Sequence, residues 1–265
     1  MLKKIVKEFI LNMKKFNYKI TFLIYKIFTT IYSHLTCLIE NIIFKQNSLN
    51  KNFNQIGIFK QKLKININEI SLNSDKYFLN ENIIVHKLKK SELEILIKLI
   101  FNKKMRIQIT KITGFKYSLD YFRIYENKHI KVSDDKNSIK RKPHFDKAFS
   151  RNMIKIFIPL NVDINSGPLK VVHKNIKARP KHYETNIKEC SYFLGDGDLL
   201  YGMSPNMCWH HEGNPLKGKT SKQIMIQLNP SKNWCFRKDL HLRQTSAENK
   251  FPSFNSLFLK TTKII

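Results

Sequence analysis

The sequence predicts a mainly β protein, a sandwich or barrel with flanking helices. Short β-rich runs with turn signals between them succeed one another through the second half of the chain. No helix-length pattern alternates with these strands, which argues against a parallel α/β sheet. At 265 residues and 42% hydrophobic composition, the chain can bury a core in one domain plus an extension, or in two small domains.

In chain order, Ile20, Ile24, Ile27, Ile31, Leu35, Leu38 and Ile42 fall at steps of three and four, one stripe of an amphipathic helix. Lys26, Thr29, Ser33, Thr36 and Glu40 take the opposite side. The expectation is a helix whose stripe packs on the β-core; peripheral contact with a membrane surface is the alternative. Lys26 interrupts the longest apolar run, so a transmembrane span fits poorly, and no small-residue cleavage site marks a secretory signal. Residues 47–90 are polar and weakly periodic, and read as connecting loops with short elements. Ser91-Glu92-Leu93-Glu94 matches a capping box ahead of Leu93, Leu96, Ile97 and Ile100, predicting a helix over residues 92–101.

The period then changes to two. Residues 106–112 alternate strictly and predict a half-buried strand, and residues 119–125 predict another. Residues 126–142 read as a mobile charged loop. Strands are expected at 153–162, 169–173, 191–194, 198–201, 207–211 and 223–228, with a basic tail from 234. The expected organisation is an N-terminal helical and irregular extension (1–90), a β domain (91–236) and a basic C-terminal tail (237–265).

The formal charge of +28 invites an anionic partner, but the lysines are spread evenly and no nucleic-acid-binding motif accompanies them. A specific nucleic-acid partner is therefore not expected. Cys37, Cys190, Cys208 and Cys235 show no paired spacing, which disfavours a disulfide framework or zinc ribbon and suits free thiols in a reducing cytoplasm.

His144 and Asp146 lie two apart, so on an extended strand both project from one face, where they can coordinate one ion. Alone this pair is a weak signal. A later strand brings His210 and His211, and two His plus one carboxylate leave the opposite positions open, as non-haem Fe(II) requires. Zinc is the competing metal, with Glu212 as its general base, although no HExxH-type helix supports that. Of the adjacent histidines only one can face the metal from a regular strand. His210 is taken as the ligand, with His211 pointing away or behind it.

Residues 142–231 resemble the phytanoyl-CoA dioxygenase-like branch of the Fe(II)/2-oxoglutarate-dependent oxygenases. His144-Phe145-Asp146 is similar to the family's HxD. The run Ile154 to Asp163 with Asn165-Ser166-Gly167-Pro168-Leu169 resembles its strand and D-x-x-x-GPL turn, and Gly197-Asp198-Leu199-Leu200 its GD strand start. Cys208-Trp209-His210-His211-Glu212-Gly213-Asn214-Pro215 resembles its C-x-H-R-x-G-x-P segment, which is why His210 is preferred. The resemblance implies a double-stranded β-helix, a jelly-roll or cupin-like barrel, with Fe(II) held by His144, Asp146 and His210. It also implies 2-oxoglutarate and O2 as co-substrates, and hydroxylation of a small organic, lipid or saccharide-type substrate.

Two departures stand out. The family's Arg for the distal carboxylate of 2-oxoglutarate is absent from Lys219-Thr220-Ser221-Lys222-Gln223, leaving Lys222 as a point charge in its place, with Ser221 adding a hydroxyl. The family's P-x-S-H is replaced by Val171-Val172-His173-Lys174-Asn175, where His173 reads as a structural polar residue. The competing expectations are a non-catalytic or other-metal barrel, which the missing Arg favours, and a basic nucleic-acid or membrane-binding module. Substrate selection would fall to the loops at 126–142 and 178–188, whose basic residues would tolerate an anionic substrate.

Overall fold

A computed structural model describes residues 20, 27, 30–46, 50–131, 142–146, 150–176, 189–245 and 262–265. Two sheets carry the architecture. The larger runs in the order β1 (Ile58–Lys62), β8 (Leu199–Met203), β5 (Ile154–Leu160), β10 (Thr220–Ser231), β4 (Lys116–Lys128), β11 (Cys235–Arg237) and β12 (Thr262–Ile264). The hairpin of β2 (Ser74–Asn80) and β3 (Ile83–Leu88) joins β4 through β3. The smaller sheet runs β7 (Cys190–Phe193), β6 (Leu169–Val172), β9 (His210–Glu212), and a bridge from His144 to His210 extends it by a fourth segment. From β4 onward the chain alternates between the sheets: β4 in the large, His144 in the small, β5 in the large, β6 and β7 in the small, β8 in the large, β9 in the small, β10 in the large. That winding is the double-stranded β-helix.

Sheet parity divides the core in two. Ile124, Ile158, Ile224 and Ile226 face outward onto Leu93, Leu96, Ile97, Ile100 and Ile109 of the helices. The alternate residues Tyr121, Tyr125, Phe157 and Met225 face inward against Leu169, Val171 and Phe193 of the small sheet. Strand β4 is buried on both faces because helices cover one side and the second sheet the other. The register of β4 on β10 shifts between Gln227 and Leu228. Past that bulge Leu119 joins the outer cluster and Asp120 takes the alternate face, where its Oδ2 accepts from Asn229 Nδ2 at 2.6 Å.

The expected strand at 106–112 is a helix. α4 spans Lys103–Thr113, and α3 before it spans Lys90–Ile100. The alternation of Ile107 and Ile109 misleads because burial follows Met105, Ile109 and Thr113, four residues apart. Asn102 caps its start by accepting from the Met105 N–H, and Gly114, at φ 80°, ends it. The Ser91–Glu94 capping box is also not formed. Glu92 instead accepts from the Lys89 N–H at 3.3 Å, and Glu94 pairs with Lys263 of β12. Residues 47–90 hold more order than loops: α2 (Lys51–Ile56), β1 and the β2–β3 hairpin, with β1 on β8 and β3 on β4.

The N-terminal helix, α1, is helical at the described residues 20, 27 and 30–43, and its orientation reverses the expectation. Thr36, Glu40 and Phe44 are buried, whereas Ile31, Leu35, Leu38 and Ile42 are exposed. What draws the polar side inward is a matched polar surface: Glu40 Oε2 accepts from Ser150 Oγ at 2.6 Å and from Asn152 Nδ2 at 3.0 Å. Asn206 in turn donates to the Ser150 carbonyl at 2.7 Å, so α1 braces the connection between Asp146 and β5.

Gly167 occupies the left-handed region (φ 68°), and a Cβ there would lie 2.5 Å from the Pro215 nitrogen and 2.7 Å from the Gly213 carbonyl oxygen. The two turn motifs of the sequence therefore touch backbone to backbone. Gly167→Ala should destabilise the fold by about 2 kcal/mol or more, read as a lower denaturant midpoint at unchanged m-value. Burial raises the Glu40 carboxyl to about 7 against the Ser150 and Asn152 hydrogen bonds that lower it. The folded protein thus holds this proton more tightly than the unfolded chain, so stability falls as pH rises from about 4.5 through about 7. Thermal melts across that window should show the slope in the native protein and lose it in Glu40→Gln.

Candidate metal centre

His144 and His210 exchange backbone hydrogen bonds, His144 N–H to the His210 carbonyl at 3.1 Å and the reverse at 3.0 Å. This antiparallel pair sets their imidazoles side by side, ring centroids 4.5 Å apart. Asp146, two residues on from His144, turns its carboxylate to both: Oδ1 lies 3.8 Å from His144 Nε2 and 3.6 Å from His210 Nε2. One ligand atom from each of the three lies within 4.8 Å of the others, so the set can hold a metal ion.

Every candidate ligand is held from behind. His144 Nδ1 lies 2.8 Å from the Lys142 carbonyl and His210 Nδ1 3.0 Å from the Cys208 carbonyl. Since a carbonyl only accepts, each Nδ1 carries a proton, and in the neutral ring that tautomer leaves the Nε2 lone pair facing the centre. Asp146 Oδ2 is engaged by Lys155 Nζ at 2.7 Å, which leaves Oδ1 as the free oxygen for a metal. Burial alone would raise the Asp146 carboxyl, but the Lys155 ammonium and His210 hold it well below the usual carboxylate range. Burial and the neighbouring His210 lower the His144 imidazole, which favours the neutral, ligating form. Stacking of Phe145 on Trp209, centroids 3.8 Å apart, ties the HxD segment to the start of β9 from the other side.

The cluster opens into a cavity between the sheets, whose walls include Arg123, Tyr125, Phe157, Leu169 and Met225. Glu212 lines it too, because it shares the inward parity of His210 on β9. Its two oxygens accept from Tyr125 OH at 2.7 Å and Asn127 Nδ2 at 3.1 Å, and Gln223 Nε2 donates to Tyr125 OH at 2.6 Å. Ser221 Oγ and Gln223 Oε1, on the inward parity of β10, are buried without a hydrogen-bond partner among the described residues.

The structure thus brings His144, Asp146 and His210 together and leaves His211 on the outward parity of β9. Lys222 is not brought to the cavity. It alternates with Gln223 and Met225, so it lies on the outer side of β10, where its charge lowers the His86 imidazole after burial, the larger cause. The cations that line the cavity are Arg123 and Lys155. Neither was foreseen from the sequence, although both sit at inward positions of strands that alternate legibly. Arg123 is buried, its Nε donates to the Gln244 carbonyl at 3.0 Å, and its guanidinium lies 5.1 Å from the Tyr121 ring. His173 bonds Ser191 Oγ at 3.1 Å, a structural contact between β6 and β7. The expected loop at 126–142 begins later than expected, since β4 runs to Lys128; the remainder of it from 132 to 141, and the loop at 178–188, lie outside the described residues. No nucleophilic thiol competes at this site: all four cysteines are free, and burial pushes the Cys208 thiol up to about 12.

Neither a protein-family model nor a curated protein matches the chain. Solved structures do. HygX from Streptomyces hygroscopicus, with nickel and 2-oxoglutarate bound, aligns at 8% identity and TM-score 0.47 over 71% of this chain and 89% of its own. The non-haem alpha-ketoglutarate-dependent epimerase SnoN from nogalamycin biosynthesis aligns at 14% and 0.45, over 66% and 79%. A 2OG-Fe(II) oxygenase family oxidoreductase from Burkholderia pseudomallei aligns at 12% and 0.44, over 69% and 92%.

Anaerobic Fe(II) titration separates the adjacent histidines. His144→Ala, Asp146→Ala and His210→Ala should each weaken binding by about 100-fold or more, and His211→Ala by less than about tenfold.

Proposed function

We propose that the chain is a non-haem Fe(II)/2-oxoglutarate-dependent oxygenase. The observation that carries this reading is the His144, Asp146 and His210 set, with both Nε2 atoms and one carboxylate oxygen turned to a common point beside an internal cavity. Two neutral imidazoles and one carboxylate suit Fe(II) and leave coordination positions for co-substrates. Glu212 is the residue a zinc hydrolase reading would need as general base. It is instead saturated by Tyr125 and Asn127, which favours the oxygenase.

A dicarboxylate co-substrate needs a fixed cation inside the cavity. Lys222 is unsuited by its face of β10, and Lys155 is committed to Asp146. Arg123 has the required charge, burial and position on the cavity wall, and its planar fork suits a carboxylate. Ser221, with its unsatisfied hydroxyl on the same parity as Met225, adds a donor on the β10 side. In this reading Arg123 takes the place of the arginine that β10 lacks.

When bound, Fe(II) and 2-oxoglutarate would supply, with O2 as the oxidant, decarboxylation of 2-oxoglutarate to succinate and CO2 coupled to hydroxylation of a substrate C–H bond. The chain's own share is positional and electrostatic. His144 and His210 are locked in their ligating tautomers by the Lys142 and Cys208 carbonyls. Lys155 keeps Asp146 ionised and single-handed. Phe157, Leu169 and Met225 wall the site with apolar surface that excludes water. The substrate is a small organic molecule, of lipid or saccharide type, and the basic loops at 126–142 and 178–188 would accept an anionic one.

Anaerobic titration of the Fe(II)-loaded protein with 2-oxoglutarate should produce a metal-to-ligand charge-transfer band. Arg123→Leu should raise the 2-oxoglutarate concentration needed by about tenfold to 100-fold, the loss of a charge-assisted pair, while Lys222→Ala leaves it unchanged. Iron binding with no band at any 2-oxoglutarate concentration would falsify the reading.

A further inference from the structure

The outer stripe of α1 is a chemical feature that the metal centre does not use. Ile27, Ile31, Leu35, Leu38 and Ile42 fall within an arc of roughly 80° at 3.6 residues per turn, and the buried Thr36 and Glu40 lie opposite that arc. All five are more than half exposed, with Ile42 at 73%. Ile43 and Ile39 widen the exposed apolar surface on its flank. Amphipathic helices of globular proteins point such a stripe at the core. Here the polar side is committed inward by Ser150 and Asn152, so rotating the stripe into the core would strip Glu40 of both partners.

A contiguous apolar surface of this kind marks a contact site, and the charge around it selects the partner. Residues 1–46 carry eight lysines, Lys3, Lys4, Lys7, Lys14, Lys15, Lys19, Lys26 and Lys45, against two acids, Glu8 and the buried Glu40. A second copy is a poor occupant, since it would set one +28 chain against another. No described helix is long and apolar enough to cross a membrane. An apolar stripe on a helix drawn from so lysine-rich a stretch of sequence matches a helix lying in the plane of an anionic interface.

We propose that α1 docks the protein on an anionic lipid bilayer, with Ile27, Ile31, Leu35, Leu38 and Ile42 entering the headgroup–acyl boundary and the exposed Lys45, with the lysine-rich sequence that precedes the stripe, meeting lipid phosphates. The polar face remains bonded to the barrel, so docking requires no unfolding of α1. It also leaves the metal centre intact, because the bracing contacts of Glu40 lie on the side away from the lipid.

The test is co-sedimentation of the full chain with phosphatidylcholine vesicles, with and without phosphatidylserine, across a salt series. The wild-type chain should bind the phosphatidylserine vesicles, less so as salt rises. An Ile31→Gln/Leu35→Gln/Leu38→Gln variant should bind about tenfold or more weakly while keeping its Fe(II) affinity and melting temperature. Ile95→Gln, at an exposed position of α3, should bind as wild type. The proposal is overturned if the triple variant binds as tightly as wild type, since the overall charge then suffices, or if Ile95→Gln weakens binding equally. It is also overturned if the wild-type chain ignores the vesicles and instead forms an oligomer that the triple variant dissociates. A triple variant that melts several degrees lower overturns it as well, because the stripe is then covered by this chain's own residues.

Discussion

The pair of backbone hydrogen bonds between His144 and His210 is the constraint from which the site follows. They fasten the HxD segment to β9 at one register, and a slip of one residue would turn one imidazole to the face opposite the other. Everything around the pair protects that register. Phe145 stacks on Trp209 at the neighbouring positions, α1 braces the exit of the segment through Ser150 and Asn152, and Gly167 lets the next turn close on the backbone of residues 213–215. These supports converge on the three candidate ligands, although none of the supporting residues belongs to the set.

Electrostatics inside the barrel follows from the same geometry. A carboxylate buried beside two imidazoles would ordinarily take up a proton. Lys155, itself buried on β5, prevents this and keeps Asp146 ionised. The second cavity cation, Arg123, is held by the Gln244 carbonyl from a segment that follows β11. Gln244 is in turn fixed by the Leu88 backbone, accepting from its N–H at 2.9 Å and donating to its carbonyl at 2.8 Å. Chain segments on both sides of the barrel sequence thus steady one side chain inside it. That link explains why residues outside 91–236 matter to the site.

The reversed α1 shows the same principle at the surface. Amphipathicity states that a helix has two faces and not which one its neighbour will accept. Ser150 and Asn152 offer a polar surface, which Glu40 satisfies and an isoleucine would leave unsatisfied, and a buried polar group without a partner costs more than an exposed isoleucine. The apolar stripe is left outside by elimination, and its exposure is a consequence of how the core side was matched.

The strand succession from 153 to 228, the HxD pair, His210 and the glycine turns are legible in the sequence, because period-two alternation and turn chemistry are set by residues close in the chain. Helix α4 reads as a strand for a related reason: Ile107 and Ile109 satisfy period two while Met105, Ile109 and Thr113 satisfy the helical period in the same short run, and the caps Asn102 and Gly114 are the signal that separates them. Lys222 falls on the wrong face because parity on β10 cannot be counted from His210 across the irregular residues 213–219, so one residue of error exchanges the inner face for the outer. By itself, then, the sequence determined the β architecture and the three metal-ligand candidates. Only the tertiary structure decided that Arg123 and Lys155 face the cavity and that α1 turns its polar side inward. Those outcomes depend on which distant groups meet across the barrel, and no local period encodes them.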